Sequence, residues 1–179
     1  MIYCRERSSL SGQTISTERL TLKPLAAADA HGVWQMISDP AVLTYIPLEV
    51  ETDETSFTRK FHAEIAAGVR YKFFYGIHID GEPDIIGWVL LRPLEDGSAM
   101  EVGYWLRKAF WHHGIAAEAG RAMIKAQKHH VPFELGDIMA HVMQGNTGSK
   151  RVLEKIGLEK TGDGMLDGMP VWGFRWKQP

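Results

Sequence analysis

The run Glu101-Val102-Gly103-Tyr104-Trp105-Leu106, followed closely by Phe110-Trp111-His112-His113-Gly114-Ile115-Ala116-Ala117-Glu118-Ala119, decides how this chain is read. The first run reads as a strand by its alternation. The second opens a helical pattern that continues to about His130, with Ile115, Ala119, Ala122, Met123 and Ala126 set to pack on a sheet. A strand, a turn of small residues and a helix together present bare backbone N–H groups. The first N–H groups of a helix have no intrahelical partner, and the dipole there favours negative charge. Gly114, Ala116 and Ala117 leave room for a bulky anion to approach that backbone. An amphipathic helix that simply begins near a glycine has the same outline, so this segment alone leaves both readings open. The phosphate motifs G-x-x-x-x-G-K-[ST] and G-x-G-x-x-G do not occur.

Working outward, Ile138 to Met143 reads as a further strand, and Asn146 to Ile156 as a short helix ending at Gly157. Asn146 is placed as its N-cap, with Ser149 three residues on. Helix capping explains that pair. The functional alternative is that both side chains face the end of the preceding strand, near the first site. Upstream, Tyr71 to Asp80, Asp84 to Leu94 and Ser98 to Leu106 are strands separated by Gly81-Glu82-Pro83 and Glu95-Asp96-Gly97, turns that imply antiparallel neighbours. Thr17 to Leu25 is a first strand. Ala30, Val33, Trp34 and Ile37 mark a helix stopped by Ser38-Asp39-Pro40. A second helix starts near Thr52 or Asp53 and stops at Gly68, and Val171 to Trp176 is a last strand, with another near Leu158 to Thr161. Antiparallel hairpins followed by a β-α-β unit give an α+β, mixed-sheet domain and not a Rossmann alternation.

The 179 residues fit one domain, read as a leader at 1–13 and a single domain at 14–179. Hydrophobic content of 45% and charged content of 23% are those of a soluble globular protein. A net charge of -2 gives no electrostatic case for nucleic acid or an anionic membrane as partner. The single cysteine, Cys4, cannot form an internal disulfide. The longest apolar run, Ile85 to Leu91, falls far short of the ~20 residues of a spanning helix. The first ten residues lack a signal-peptide core. A cytoplasmic location is the default.

The segments Glu101 to Leu106, Trp111 to Ala119 and Asn146 to Leu158, with the early strand Thr17 to Leu22, resemble the GNAT superfamily of N-acetyltransferases and specifically its RimJ/RimL-like branch. That branch acetylates protein N-termini and various small amines. The resemblance covers nearly the whole chain from about residue 14. It implies a central, mostly antiparallel twisted sheet of six to seven strands with about four helices. It also implies that the strands at 98–106 and 138–143, the fourth and fifth, splay apart. The implied reaction is transfer of an acetyl group from acetyl-CoA to a primary amine, on a small molecule or a peptide N-terminus, by direct attack in a ternary complex. By the same resemblance, backbone N–H groups of His112, His113, Gly114, Ile115, Ala116 and Ala117 would cradle the coenzyme A pyrophosphate. Backbone groups of Tyr104, Trp105 and Leu106 would bind the pantetheine arm and polarise the acetyl carbonyl. Asn146 would hydrogen-bond the arm, and Ser149 would protonate the leaving thiolate. Trp111 and His112-His113 depart from the superfamily's polar and cationic positions, so the cradle would rest on backbone.

An ammonium has no lone pair, so a base is expected. Glu101 is the first candidate, set against a plain surface role. His141 is the second, set against a packed histidine. His112-His113 and His129-His130 are adjacent pairs that point about 100° apart on a helix and chelate poorly, so no metal is expected. Trp172 reads as core, or with Tyr45 and Trp88 as a wall of the acceptor side. A homodimer is left open. The competing readings are a non-catalytic acyl-CoA-binding module for sensing or interaction, and a plain interaction domain without cofactor.

Overall fold

The computed structural model describes residues 12–46, 50–68, 73–94, 96–127 and 138–176. Most of the expected leader, and the His129-His130 pair, lie outside the described residues. Among these residues, eight strands form one sheet in the order β1-β2-β3-β4-β5-β6-β8-β7. They are β1 Ile15–Ser16, β2 Leu20–Pro24, β3 Phe74–Ile79, β4 Gly87–Pro93, β5 Met100–Leu106, β6 Ile138–Met143, β7 Leu158–Leu166 and β8 Met169–Trp176. Five α-helices are described: α1 Ala30–Ile37, α2 Pro40–Leu43, α3 Glu54–Ala67, α4 Ile115–Gln127 and α5 Thr147–Ile156. All strand pairs are antiparallel except β5 with β6. The α+β fold is the expected one, with more elements. The two-residue β1 is too short for a periodicity signal, and β7 runs well past Thr161 because β8 pairs along it.

Local chemistry sets the helix ends. Asp53 accepts a 2.9 Å bond from Ser56 N, and Gly68 closes α3 in the left-handed region at φ 66°. Asp39, expected only to stop a helix, also starts one. Its carboxylate caps the Ala41 N–H at 2.8 Å, and Pro40 opens α2, where a missing N–H costs nothing.

The strands alternate between two cores. Val102 and Leu106 of β5 join Met123 of α4 and Leu153 of α5 on one face. Trp105 turns to the other face, with Trp88, Phe61 and Val33 beneath α1 and α3. Helices α4 and α5 approach closely at Gly120, where a Cβ would lie 2.5 Å from Ile156 Cδ1. Arg121 Nη1 also donates to the Lys155 carbonyl at 2.9 Å. Both helices follow parallel strands, so their N-termini open at the same edge of the sheet. That edge holds the site.

Candidate active site

Among the described residues, strands β5 and β6 pair only at Met100–Ile138 and Glu101–Met139. Beyond Glu101 they part, as expected for the strands at 98–106 and 138–143. The β4–β5 ladder tells which backbone groups face the gap. Leu94 N donates to Ala99 O and Arg107 N to Ile86 O, both at 2.9 Å. With the continuous register between them, the odd-numbered residues of β5 exchange bonds with β4. The even-numbered Val102, Tyr104 and Leu106 therefore direct their N–H and C=O into the gap. This corrects one expectation. Trp105 is paired through its backbone with Trp88, and Val102 takes its place on the open edge. Leu106 O is met by Trp111 Nε1 at 2.9 Å. Trp111, which replaces a polar position, thus braces the turn against the strand end.

The turn after β5 is built for exposed N–H groups. His112 at φ 66° and Gly114 at φ 77° both lie in the left-handed region, reversing the chain just before α4. The first α-helical bond that reaches back is Glu118 N to Gly114 O. The N–H groups of His112, His113, Gly114, Ile115, Ala116 and Ala117 find no acceptor among the described residues. His112, His113 and Gly114 are exposed, and only Arg19 Nη2, at 3.8 Å, comes near the position of a Cβ on Gly114.

An acid stands inside this first turn. Glu118 Oε2 accepts from Arg19 Nη2 at 2.6 Å and Nε at 2.9 Å, and Oε1 accepts from the Thr17 hydroxyl at 2.5 Å. Both Arg19 Nη atoms also donate to the His113 carbonyl at 3.2 Å. Partial burial pushes the Glu118 carboxyl up. The Thr17 hydroxyl and the Arg19 guanidinium outweigh that and leave it below its ordinary value. Neither Arg19 nor Glu118 was singled out from sequence, since they lie 99 residues apart.

At the other helix start, Asn146 Oδ1 caps Ser149 N at 2.9 Å, so its capping role is real and its amide Nδ2 stays available as a donor. Ser149 Oγ lies 2.9 Å from the Tyr104 hydroxyl, which also donates to the Ser149 carbonyl at 2.9 Å. Burial pushes the Tyr104 phenol up, and the bond to Ser149 only partly offsets it, so the ring stays neutral. Tyr104 was expected to act through its backbone alone. Its hydroxyl is the added feature.

On the opposite face a cavity of about 430 Å³ opens between the sheet, α1 and α3. Phe57, Phe61, Trp88 and Trp105 line it, together with Glu101 and His141. Both expected bases therefore share one cavity. Glu101 is 21% exposed, and its Oε2 is held by its cross-strand neighbour Arg92 through Nε at 2.8 Å and Nη2 at 2.7 Å. His141 is exposed on β6. Trp88 lines this cavity. Trp172 does not: paired with the inward-facing Val142, it lies on the α5 face, with Lys150 and Lys160 within 5.7 Å and 5.4 Å of its ring.

The Acetyltransferase (GNAT) domain family matches residues 19–159. The chain belongs to this family. As a GNAT protein it is an N-acetyltransferase, and its acyl donor is acetyl-CoA. It is 26% identical over 150 residues to the uncharacterised N-acetyltransferase YnaD of Bacillus subtilis, covering 83% of this chain and 84% of YnaD. A GNAT-family acetyltransferase from Bacillus anthracis superimposes with a TM-score of 0.77 at 24% identity, over 91% of this chain and 97% of that one. RimJ of Mycobacterium smegmatis, solved with CoA-disulfide, gives 0.72 at 20% identity, over 91% and 86%. The last two establish the GNAT fold, with RimJ/RimL-like neighbours. No described helix is long and apolar enough to cross a membrane, and no three His, Cys, Asp or Glu side chains among the described residues converge as a metal site.

Proposed function

We propose that this GNAT enzyme transfers acetyl from acetyl-CoA to a primary amine, on a peptide N-terminus or a small molecule, by direct attack in a ternary complex. One observation carries the reading. The open backbone edge of β5 leads straight into a turn whose N–H groups have no acceptor among the described residues, and the two together match a long donor with a diphosphate at one end.

The donor supplies an activated thioester. The turn from His112 to Ala117 binds its diphosphate through backbone N–H groups. The edge of Val102, Tyr104 and Leu106 binds its amide arm as an extra strand. An N–H of that edge stabilises the developing oxyanion. The acceptor amine enters from the aromatic cavity and passes its proton to Glu101, directly or through water. Oε1 is the free oxygen for this, because Arg92 occupies Oε2. His141 is the second base in reach of the same cavity. As the new C–N bond forms and the C–S bond breaks, Ser149 Oγ gives its proton to the departing sulfur and is reprotonated from solvent, while the Tyr104 hydroxyl, bonded to the Ser149 carbonyl and 2.9 Å from Oγ, holds the serine in place. Asn146 Nδ2 donates to the arm. Residues 14–179 act as one catalytic domain.

Mass spectrometry of amines and short peptides incubated with enzyme and acetyl-CoA tests the reading. N-acetylated product from at least one class is expected. Coenzyme A binding with no product from any amine would favour the acyl-CoA-binding module.

A further inference from the structure

An anion site would ordinarily avoid a carboxylate, yet Glu118 sits in the first turn of α4, beside the N–H groups assigned to the diphosphate. A bare carboxylate there would oppose a ligand of the same sign. The acid is not bare. Arg19 and Thr17 hold both of its oxygens, and the same guanidinium forks to the His113 carbonyl. Thr17 and Arg19 enter from the start of the chain, in the segment that joins β1 to β2.

We infer that Arg19 is a positioning residue for the donor diphosphate: it cancels Glu118 and pins the His113 carbonyl away from the ligand, leaving the turn's N–H groups facing the anion. The inference rests on the cradle assignment above. It adds a residue distant in sequence, which bonds the 110–119 segment at the Glu118 carboxylate and the His113 carbonyl. The Glu118 charge is retained for a reason the geometry gives. The ionised carboxylate holds the guanidinium where it reaches the carbonyl of His113, which precedes the left-handed Gly114. Arg19 is 45% exposed on its side chain, whereas Glu118 is 18% exposed, so the buried member of the pair is the one that needs its partner.

The test is a double-mutant cycle on coenzyme A affinity, with kcat measured at saturating acetyl-CoA. Arg19→Ala is expected to raise the coenzyme A Kd by on the order of ten- to a hundredfold, the worth of a charge-assisted hydrogen bond, with kcat within about twofold. Glu118→Gln added to Arg19→Ala is expected to return at least about tenfold of that loss, because the repelling charge is gone. A merely structural role for Arg19 would lower kcat as well and would not be rescued. Arg19→Lys is the second variant. It keeps a cation at Glu118 but cannot fork to the carbonyl, and its Kd should lie between wild type and Arg19→Ala. An Arg19→Ala protein with wild-type Kd, or a double variant as weak as Arg19→Ala, overturns the inference while the function stands. Wild-type protein without affinity for coenzyme A overturns both.

Discussion

The Tyr104 hydroxyl stands 2.9 Å from Ser149 Oγ, joining a strand residue to a helix start 45 positions later. The pair bridges β5 and α5, and the proposed mechanism uses Ser149 to protonate the departing sulfur. A neutral phenol anchored on the Ser149 carbonyl fixes the serine hydroxyl beside it in the position from which it gives up its proton. Tyr104→Phe and Ser149→Ala should each lower kcat by at least about a hundredfold, the usual size of a general-acid contribution, with KM for acetyl-CoA little changed. Combining them should cost no more than the worse single change, because the two act as one unit. Steady-state kinetics on the three variants checks this.

The cradle should depend on backbone and not on histidine charge. His112→Gly, which relieves a left-handed residue, and His113→Ala should leave the coenzyme A Kd within about threefold. Gly114→Val should weaken it by more than about tenfold, because a β-branched residue is strained at φ 77° and covers the N–H groups. Calorimetric titration separates the two results.

Much of this was legible beforehand, and the exceptions have physical causes. The caps at Asp53 and Asn146, the stop at Gly68 and the strand Ile138–Met143 follow from local chemistry, which a sequence carries in full. The splay of β5 from β6 came from resemblance alone, since nothing in either strand's alternation encodes where pairing ends. Which residues of β5 face the gap depends on the hydrogen-bond phase of the β4–β5 ladder. Side-chain alternation does not report that phase, and so Trp105 was expected where Val102 stands. Arg19, Glu118 and Arg92 acquire meaning only from partners brought together by folding.

Glu101→Gln should reduce kcat by about a hundredfold or more while leaving the coenzyme A Kd unchanged, whereas His141→Ala should cost less than about tenfold. The opposite ranking would move the base to β6. Rapid-quench measurement of the acetyl-transfer step gives the ranking without interference from product release.

Two titrations should appear in stability. The Glu118 carboxyl lies below its ordinary value in the folded chain, so its contribution is present above the unfolded pKa and is lost as pH falls through the folded one. His31 behaves in the reverse sense. Its bond to Glu54 at 2.6 Å raises it, and the charges of Glu54 and Asp84 add to this, against partial desolvation and Arg107. That contribution is present below the unfolded histidine value and is lost as pH rises through the raised one. Melting temperatures of Glu118→Gln should lose the acid-side slope, and those of His31→Gln the slope above neutral onset.

The most direct measurement is the initial rate of thiol release with acetyl-CoA and an accepted amine varied together. Attack within a ternary complex gives intersecting reciprocal plots and release that requires the amine. Parallel plots, or an acetylated enzyme isolated in the absence of amine, would contradict it.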